Sequence, residues 1–425
     1  MAEALELDFD RMTPQGMASA SLPGGRAAAV WGVLPGERVR VAPIRRRHGV
    51  LLCRLEGILT PSPDRIAPRE PHYLSCSPWQ VMTYAAQTRE KRAILQSLFP
   101  EIPLDRFVEA DTRWGYRTKL EFSFTEEQGR LELAFHERSS PFRKMALPDG
   151  CALAGAQMNA AAKEVVDRLR ERGIRAQALK SLIVRASAAT GEALAALYVM
   201  QEDLDPGDFR LERSAGFALI YSDPLSPASV STAVLRREGA ACLTERVAGL
   251  ALDYPLDGFF QNHVEMFAAA LEAIRHYMPD AARLVELYSG VGSIGLALAD
   301  RAQEIVAVES NDAAVEFAAE NALRNGVRNY HARAGRAESC SEELLAGADV
   351  VVADPPRTGF DAKTIAALAR SGARRILYLS CHPAKQARDV AMLGSAYRPV
   401  AFVGFDFYPQ TPHIESLVVL DRKAR

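Results

Sequence analysis

Four short stretches in the C-terminal part of the chain contain residues that could bind a cofactor or take part in catalysis. Cys381 follows a run of strand-forming residues in LYLSCHPA, and Asp354 follows another such run in VVVADPPR. Gly290 opens a glycine-rich loop, and Glu415 begins the last apolar run, ESLVVL. Free cysteines are usually buried as small hydrophobes. A cysteine at the end of a strand therefore indicates a reactive thiol.

The glycine-rich loop has the pattern G-x-G-x-x-G and includes Gly290 and Gly292. This pattern fits a dinucleotide loop as well as the nucleoside loop of S-adenosylmethionine enzymes. Glu309, at the end of the next predicted strand, would bind ribose hydroxyls in either case. Glu286 favours S-adenosylmethionine, because a carboxylate suits a cationic amino-acid tail better than a pyrophosphate. The alternative interpretation is that Glu286 is simply a solvent-exposed residue at the end of a strand.

A thiol beside a methyl-donor pocket predicts covalent catalysis. Carbon 5 of uracil is a poor nucleophile, but thiolate addition at C6 turns the ring into an enolate that can accept a methyl group. A base must then remove the C5 proton. We assign this role to Glu415. His413 lies on the same face of the predicted strand and is expected to orient Glu415. The weaker alternative is that His413 itself is the base.

The elements that must position these residues alternate strand, turn and helix from about residue 258 onward. Such alternation predicts a doubly wound parallel sheet, with ligands beyond the carboxyl ends of its strands. Residues 1–59 contain short strands between turn signals and predict a small β-barrel. Residues 60–257 mix hairpins and helices. We therefore expect a barrel, a central α+β domain that positions the substrate, and a Rossmann-like α/β catalytic domain at 258–425.

A basic cluster lies in the first region, within ERVRVAPIRRRHG. Its members are Arg38, Arg40, Arg45, Arg46 and Arg47. Clustered arginines suit phosphate contacts, whereas charges along an edge strand also prevent aggregation. The sequence pattern alone favours neither interpretation.

Composition bounds the remaining possibilities. The 425 residues carry a net charge of −2 and 48% hydrophobic residues, as in an ordinary multidomain globular protein. The chain lacks a long apolar run and a signal-like start. Its six cysteines are scattered without a CxxC pair. We expect a cytoplasmic monomer with no membrane span.

In this order the motifs resemble the RNA 5-methyluridine methyltransferases, which modify transfer RNA or large-subunit ribosomal RNA. The resemblance covers most of the chain. It rests on LPGERV, SPDRIAP, RWGYRTKLEFSF, FFQ, ELYSGVGSIGLALA, VAVES, DPPRTG, LYLSCHPA and TPHIESLVVL. The first two resemble the family's TRAM barrel, an RNA-binding module, and the junction after it, so the resemblance favours RNA contact by the arginine cluster.

The resemblance implies a role for several residues. Cys381 is the nucleophile and Glu415 the base. Contacts with S-adenosylmethionine are implied for Gln261, Tyr288, Gly290, Gly292, Glu309 and Asp354. Ser293, Gly335 and His263 stand where relatives often carry asparagine.

Many relatives also bind a [4Fe-4S] cluster through four cysteines. Here Cys76 and Cys151 match two of those positions, whereas Glu70 and Trp79 occupy the others. Two thiolates are too few for such a cluster. We therefore expect no cluster and no other metal, with the two cysteines packed together.

Three alternatives stay open. A 5-methylcytosine enzyme would carry a second cysteine in the segment where this chain has DPPR. An RNA-binding or RNA-folding protein with secondary chemistry is compatible with the barrel. A nicotinamide oxidoreductase is compatible with the glycine loop alone.

Overall fold

The computed structural model describes residues 3–138, 140–204, 206–207, 211–226 and 229–424. Within them the chain forms three large β-sheets and one two-stranded sheet. No helix in these residues has the length and apolar character needed to cross a membrane.

The first sheet is built from the N-terminal residues. Its strands are Leu5–Phe9 (β1), Arg11–Met12 (β2), Ala18–Leu22 (β3), Arg26–Val30 (β4), Glu37–Arg47 (β5) and Val50–Thr60 (β6). Their order is β1-β5-β6-β4-β3-β2. In β5 the buried Val39 and Val41 alternate with the exposed Arg38 and Arg40, as expected when one face of a sheet packs on a core.

The middle of the chain forms the second sheet and contributes to the third. Its elements are Tyr73–Cys76 (α1), Tyr84–Leu98 (α2), Arg106–Val108 (β7), Lys119–Glu127 (β8), Arg130–Glu137 (β9), Ser140–Ala146 (β10), Ala156–Glu171 (α3), Leu179–Ala186 (β11), Ala193–Val199 (β12), Gly216–Tyr221 (β13), Ala233–Gly239 (β14), Cys242–Val247 (β15) and Leu250–Pro255 (β16). The second sheet has the order β10-β9-β8-β11-β12-β13-β14. The expected hairpin turn at Gln128-Gly129 joins β8 to β9, with both residues at positive φ.

The C-terminal part alternates helices and strands as predicted. Its elements are Val264–Tyr277 (α4), Ala281–Leu287 (β17), Ser293–Ala297 (α5), Ala302–Glu309 (β18), Asp312–Arg324 (α6), Tyr330–Ala334 (β19), Ala337–Leu345 (α7), Val350–Ala353 (β20), Ala362–Ser371 (α8), Arg375–Ser380 (β21), Pro383–Leu393 (α9), Tyr397–Phe405 (β22) and Glu415–Arg422 (β23).

The third sheet has the order β19-β18-β17-β20-β21-β23-β22-β7. Strands β17 to β21 are parallel, and β23 runs antiparallel between β21 and β22. The chain turns from β17 to β18 on one side, whereas β20 lies on the other side of β17, so the topological switch point is at the carboxyl end of β17. This is the Rossmann-like α/β arrangement that the sequence predicts.

Strand β7 extends the third sheet beyond β22, although it lies before residue 257 in the chain. Part of the middle region thus packs with the catalytic sheet. The domain boundaries at residues 59 and 257 stay a prediction from sequence.

A segment of nine residues, 406–414, connects β22 to β23 and is largely buried. Asp406 at its start accepts a hydrogen bond of 2.5 Å from Lys91 of α2, and both side chains are fully buried. The segment ends directly before Glu415.

Candidate functional site

A cavity of about 610 Å³ opens at the carboxyl ends of the parallel strands of the third sheet. Most residues that the sequence singles out line it. These are Gln261, Tyr288, Gly290, Glu309, Asp354, Cys381 and Glu415. The cavity therefore lies at the switch point, where ligands of open α/β sheets bind.

The glycine loop forms one wall of the cavity, between β17 and α5. Gly290 has a φ of +54°, and its N–H donates a 3.0 Å hydrogen bond to Glu309 Oε2. This bond joins the ends of β17 and β18. Tyr288, just before the loop, has a φ of +62°, a strained conformation for a residue with a side chain.

Two residues of this motif lie elsewhere than the sequence predicts. Gly292 does not line the cavity; a Cβ there would lie 2.9 Å from the Tyr330 hydroxyl, so glycine is required for packing. Glu286 lies beneath the loop, where a Cβ on Gly295 would approach its Oε2 to 2.3 Å. Burial raises the pKa of Glu286 to about 8. Glu286 does not line the cavity, and its Oε2 accepts a 3.3 Å hydrogen bond from the Tyr330 hydroxyl. Its Oε1 has no hydrogen-bond partner among the described residues, and its expected contact with the cofactor stays a prediction.

Asp354 lies just beyond the end of β20 and pairs with Gln261. The Gln261 side-chain amide donates a 3.1 Å hydrogen bond to Asp354 Oδ2. Burial raises the pKa of Asp354 to about 7, and the hydrogen bond from Gln261 opposes this shift. The carboxyl group therefore changes its charge near neutral pH.

Cys381 follows the last residue of β21, so its half-buried thiol faces the cavity. Burial raises its pKa to about 12, with further contributions from the charges of Glu415 and Asp354. Arg357 acts in the opposite direction. In the protein without substrate the thiol is thus protonated at neutral pH.

Glu415 is the first residue of β23 and is only 2% exposed. Burial and the nearby Asp354 raise its pKa well above the ordinary value, and Arg357 partly offsets this. Its Oε2 has no hydrogen-bond partner among the described residues. A buried, unpaired carboxyl oxygen aimed at a cavity is available for a ligand.

His413 also lines the cavity, but it precedes β23, so strand alternation does not place it beside Glu415. The structure gives no hydrogen bond between these two side chains in its described part. Burial lowers the pKa of His413 to about 3, so its imidazole is neutral. Its expected role as orienter stays a prediction without a direct contact.

Two cavity arginines were missed by the sequence analysis as site residues. Arg357 belongs to DPPR, and its positive charge lowers the pKa values of Cys381 and Glu415. Arg117, from RWGYRTK in the middle region, lies about 6.0 Å from the Tyr408 ring centroid, and its buried Nε has no hydrogen-bond partner in the described chain. The quoted motifs contain both arginines, but only the fold shows that both line the same cavity.

The five arginines of the predicted RNA-binding cluster all lie on β5 and are exposed. They fall into two groups. Arg38 and Arg40 lie 3.7 and 3.0 Å from the Glu6 carboxylate. No ion pair to a described residue is found for Arg45, Arg46 or Arg47, at the end of the strand. The uncompensated positive charge is therefore at the β5–β6 turn.

Cys76 and Cys151 meet as predicted, together with Glu70 and His72. Trp79, at a position where many relatives have cysteine, points away and donates a 3.0 Å hydrogen bond to the Gly16 carbonyl of the first sheet. A [4Fe-4S] cluster binds one thiolate on each of four irons. This donor set, with two thiols, does not fit it.

The raised pKa of Asp354 predicts a pH-dependent gain in stability for Asp354→Asn. A carboxyl group whose folded pKa is about 7, above an unfolded value of about 3.9, destabilises the fold as pH rises through this range. The variant should therefore have a higher Tm than the wild type at pH 8 and a smaller gain at pH 5. Thermal unfolding at the two pH values measures this. The exposed Asp149→Asn is the control, and an equal shift at both pH values would contradict the assignment.

Comparison with known proteins agrees with this architecture. A family model described as tRNA (uracil-5-)-methyltransferase matches residues 250–423. A curated relative, the 23S rRNA (uracil(1939)-C(5))-methyltransferase RlmD of Alkalilimnicola ehrlichii, is 32% identical over 94% of this chain and 93% of its own length. An uncharacterized RNA methyltransferase of Halalkalibacterium halodurans is 26% identical over 92% of this chain and 90% of its own length.

The fold also has a close match among solved structures. The tRNA (uracil-54, C5)-methyltransferase of Pyrococcus abyssi, solved in complex with S-adenosyl-L-homocysteine, superposes with a TM-score of 0.80. The match covers 98% of this chain and all of the other, at 22% sequence identity. Given the 32% identity to the Alkalilimnicola enzyme over nearly the whole length, the chain belongs to the family of RNA uracil-C5 methyltransferases.

Proposed function

We propose that this protein methylates carbon 5 of a uridine in large-subunit ribosomal RNA, with S-adenosylmethionine as methyl donor and through a covalent bond between Cys381 and C6 of the base. One observation carries the proposal. The thiol of Cys381 and the unpaired carboxyl of Glu415 line the same cavity as the glycine loop. Ribosomal RNA is preferred over transfer RNA because the 32% identical relative acts on 23S rRNA.

The cavity has the groups that a nucleoside-containing methyl donor needs. Glu309 keeps acceptor capacity at the end of β18, beside the N–H groups of the glycine loop. Tyr288 and the Gln261–Asp354 pair form further walls. When bound, S-adenosylmethionine supplies an electrophilic methyl group. The alternative of a nicotinamide oxidoreductase gives no role to the Cys381 and Glu415 pair.

In the proposed mechanism the proton transfers follow from the pKa shifts of the free site. Burial raises the pKa of the Cys381 thiol to about 12, so it starts protonated, and Asp354, with a pKa of about 7, is ionised in part. Burial and Asp354 also raise the pKa of Glu415, which makes its carboxylate a stronger base. As the S–C6 bond forms, the thiol proton moves to Asp354, and the negative charge of the sulfur passes into the ring as an enolate. This charge is neutralised when C5 gains the methyl group, and the C4 carbonyl is restored.

The same groups then release the product. The Glu415 carboxylate removes the proton from C5 and passes it to solvent, and the C6–S bond breaks. The departing sulfur recovers the proton held by Asp354, so Cys381 returns to a neutral thiol. One proton is released per turnover, which balances the transfer of a cationic methyl group to a neutral base.

The target base must enter from an unpaired or flipped position, because C5 and C6 are inaccessible inside a helix. Arg117 and Arg357 at the cavity, and Arg45 to Arg47 on the first sheet, provide positive charge for the phosphates. Since the described chain supplies all of these groups, we expect a monomer to be active, in the cytoplasm where the RNA is assembled.

Cys381→Ala should abolish methyl transfer, with activity below about one thousandth of the wild type, because no other cavity group can form the adduct. Binding of S-adenosylmethionine, measured by calorimetry, should change little. The measurement is transfer of labelled methyl groups to ribosomal RNA fragments and, separately, to transfer RNA. Cys242→Ser, on β15, is the control and should keep full activity. Turnover near the wild-type rate in Cys381→Ala would exclude this residue as nucleophile.

Glu415→Gln should still form the covalent adduct but release it slowly, because glutamine cannot accept the C5 proton. A denaturant-stable protein–RNA band should therefore accumulate with unmodified RNA and S-adenosylmethionine. In the wild type the same band should require 5-fluorouridine, since fluorine cannot leave as a cation. If the variant forms no adduct with either RNA while it still binds the cofactor, Glu415 acts before C5 deprotonation and the assignment is wrong.

The variant with Arg45→Gln, Arg46→Gln and Arg47→Gln should bind RNA more weakly and with less dependence on salt. Each lost phosphate contact lowers the slope of log K against log salt by about 0.7–0.9. Filter binding at several salt concentrations measures both effects. Arg370→Gln, an exposed arginine of α8 paired with Glu342, is the control. Unchanged slopes in the triple variant would show that the β5–β6 turn does not contact RNA.

A further inference from the structure

A second group of reactive side chains lies outside the cavity. Glu70, His72, Cys76 and Cys151 each offer one metal-binding atom, and the four atoms lie within 4.8 Å of one another in a buried position. None of them lines the cavity. Both cysteines are free thiols. The catalytic mechanism gives this cluster no role.

Local structure brings the four donors together. The single turn of α1 places His72, at its N-terminal cap, four residues before Cys76, so the two side chains share one face. Glu70 precedes this turn. Cys151 comes from the loop between β10 and α3, in the second sheet's region. The cluster therefore joins the segment after the first sheet to the core of the central region.

Surrounding groups hold the donors in place. Glu70 Oε1 accepts a 2.5 Å hydrogen bond from the Ala152 N–H, and its Oε2 accepts one of 2.9 Å from Gln80. The Asn159 side chain accepts from the Cys151 N–H and donates to the Cys151 carbonyl, both at 3.0 Å. Such outer hydrogen bonds are typical around metal ligands, since they fix ligand orientation.

One buried nitrogen in the cluster has no hydrogen-bond partner among the described residues. His72 is 5% exposed, and its Nε2 makes no hydrogen bond of acceptable geometry with a described residue, although Glu70 Oε1 lies 3.2 Å away. Buried ring nitrogens are nearly always paired. An imidazole nitrogen and a carboxylate oxygen at this distance, without a hydrogen bond between them, can both point at one ion.

We propose that Glu70, His72, Cys76 and Cys151 bind a single zinc ion in a closed tetrahedral site. Two sulfurs, one nitrogen and one oxygen are donors that zinc accepts together. With Zn–S of about 2.3 Å and Zn–N or Zn–O of about 2.0–2.2 Å, tetrahedral donors lie roughly 3.3–3.8 Å apart. The donor atoms of the cluster now lie up to 4.8 Å apart. The two most distant atoms would have to move about 1 Å closer together to reach the tetrahedral distances.

A single ion fits better than the two other uses of these cysteines. A [4Fe-4S] cluster spreads four thiolates over four irons and needs wider spacing and two more cysteines. A disulfide between Cys76 and Cys151 would leave the buried His72 Nε2 without a hydrogen-bond partner among the described residues. The zinc site replaces the expectation of a merely packed cysteine pair. Its four protein ligands leave no open position, so its role is structural.

The test uses the full-length protein, purified with zinc in the medium and without a metal-binding tag. Mass spectrometry of the metals should find one equivalent of zinc. Replacement by Co²⁺ should produce visible d–d bands of a tetrahedral ion and a thiolate-to-cobalt charge-transfer band. Because metal binding is coupled to folding, a strong chelator should lower the Tm, and added zinc should restore it.

Ligand variants assign the site. His72→Ala and Cys151→Ser should each lose the zinc, whereas Cys53→Ser and Cys242→Ser, at free cysteines outside the cluster, should retain it. Where a ligand variant does not fold, the cobalt spectrum of the wild type decides. The proposal is overturned by iron with acid-labile sulfide, by a Cys76–Cys151 disulfide in the purified protein, or by cobalt that lacks the charge-transfer band.

Discussion

The buried ion pair between Lys91 and Asp406 determines where segment 406–414 lies. Both side chains are fully buried, and the Lys91 ammonium also donates to the Tyr408 carbonyl at 3.0 Å. Neither charge would be tolerated there without the other, since loss of one partner of a buried pair costs about 3–5 kcal/mol. The pair fixes α2 against the start of segment 406–414, and this segment leads directly to Glu415.

The same segment is where all three regions of the chain meet. A Cβ on Gly16, at a φ of +92°, would lie 2.2 Å from Pro412, so the first sheet can pack here only with glycine. Gln87 of α2 exchanges hydrogen bonds with Gln410, and the Tyr116 hydroxyl donates to the Pro409 carbonyl. The first sheet and the central region therefore have direct contact with the segment that leads to Glu415. An RNA bound across them would be held in a fixed position relative to the cavity.

These contacts explain which features the sequence could predict. Strand and helix alternation, the hairpin at Gln128-Gly129 and the position of Cys381 after β21 depend on neighbours in the chain, so local patterns reveal them. The pairing of Lys91 with Asp406 spans 315 residues, and β7 joins a sheet whose other strands lie far along the chain. No local pattern contains this information.

The same distinction applies to the two candidate sites. The sequence identified most of the named cavity residues through motifs. Glu286 and Gly292, which it placed in the ligand pocket, do not line the cavity, and both lie against Tyr330. For the second cluster the sequence counted cysteines against a four-cysteine pattern. His72 falls outside that pattern, and its role becomes visible only when α1 places it beside Cys76 and Cys151.

The high pKa of Cys381 has a chemical consequence if this residue is the nucleophile that we propose. A thiolate held permanently beside an electrophilic methyl group would itself be methylated or oxidised, because the thiolate is the reactive form of cysteine. Burial, with Glu415 and Asp354 nearby, raises the pKa to about 12 and keeps the thiol neutral in the empty site. In the proposed reaction, a uridine in the cavity provides the electrophilic C6 and Asp354 accepts the thiol proton. The burial that raises the pKa of the thiol would thus limit the reactive thiolate to the time when a base is bound.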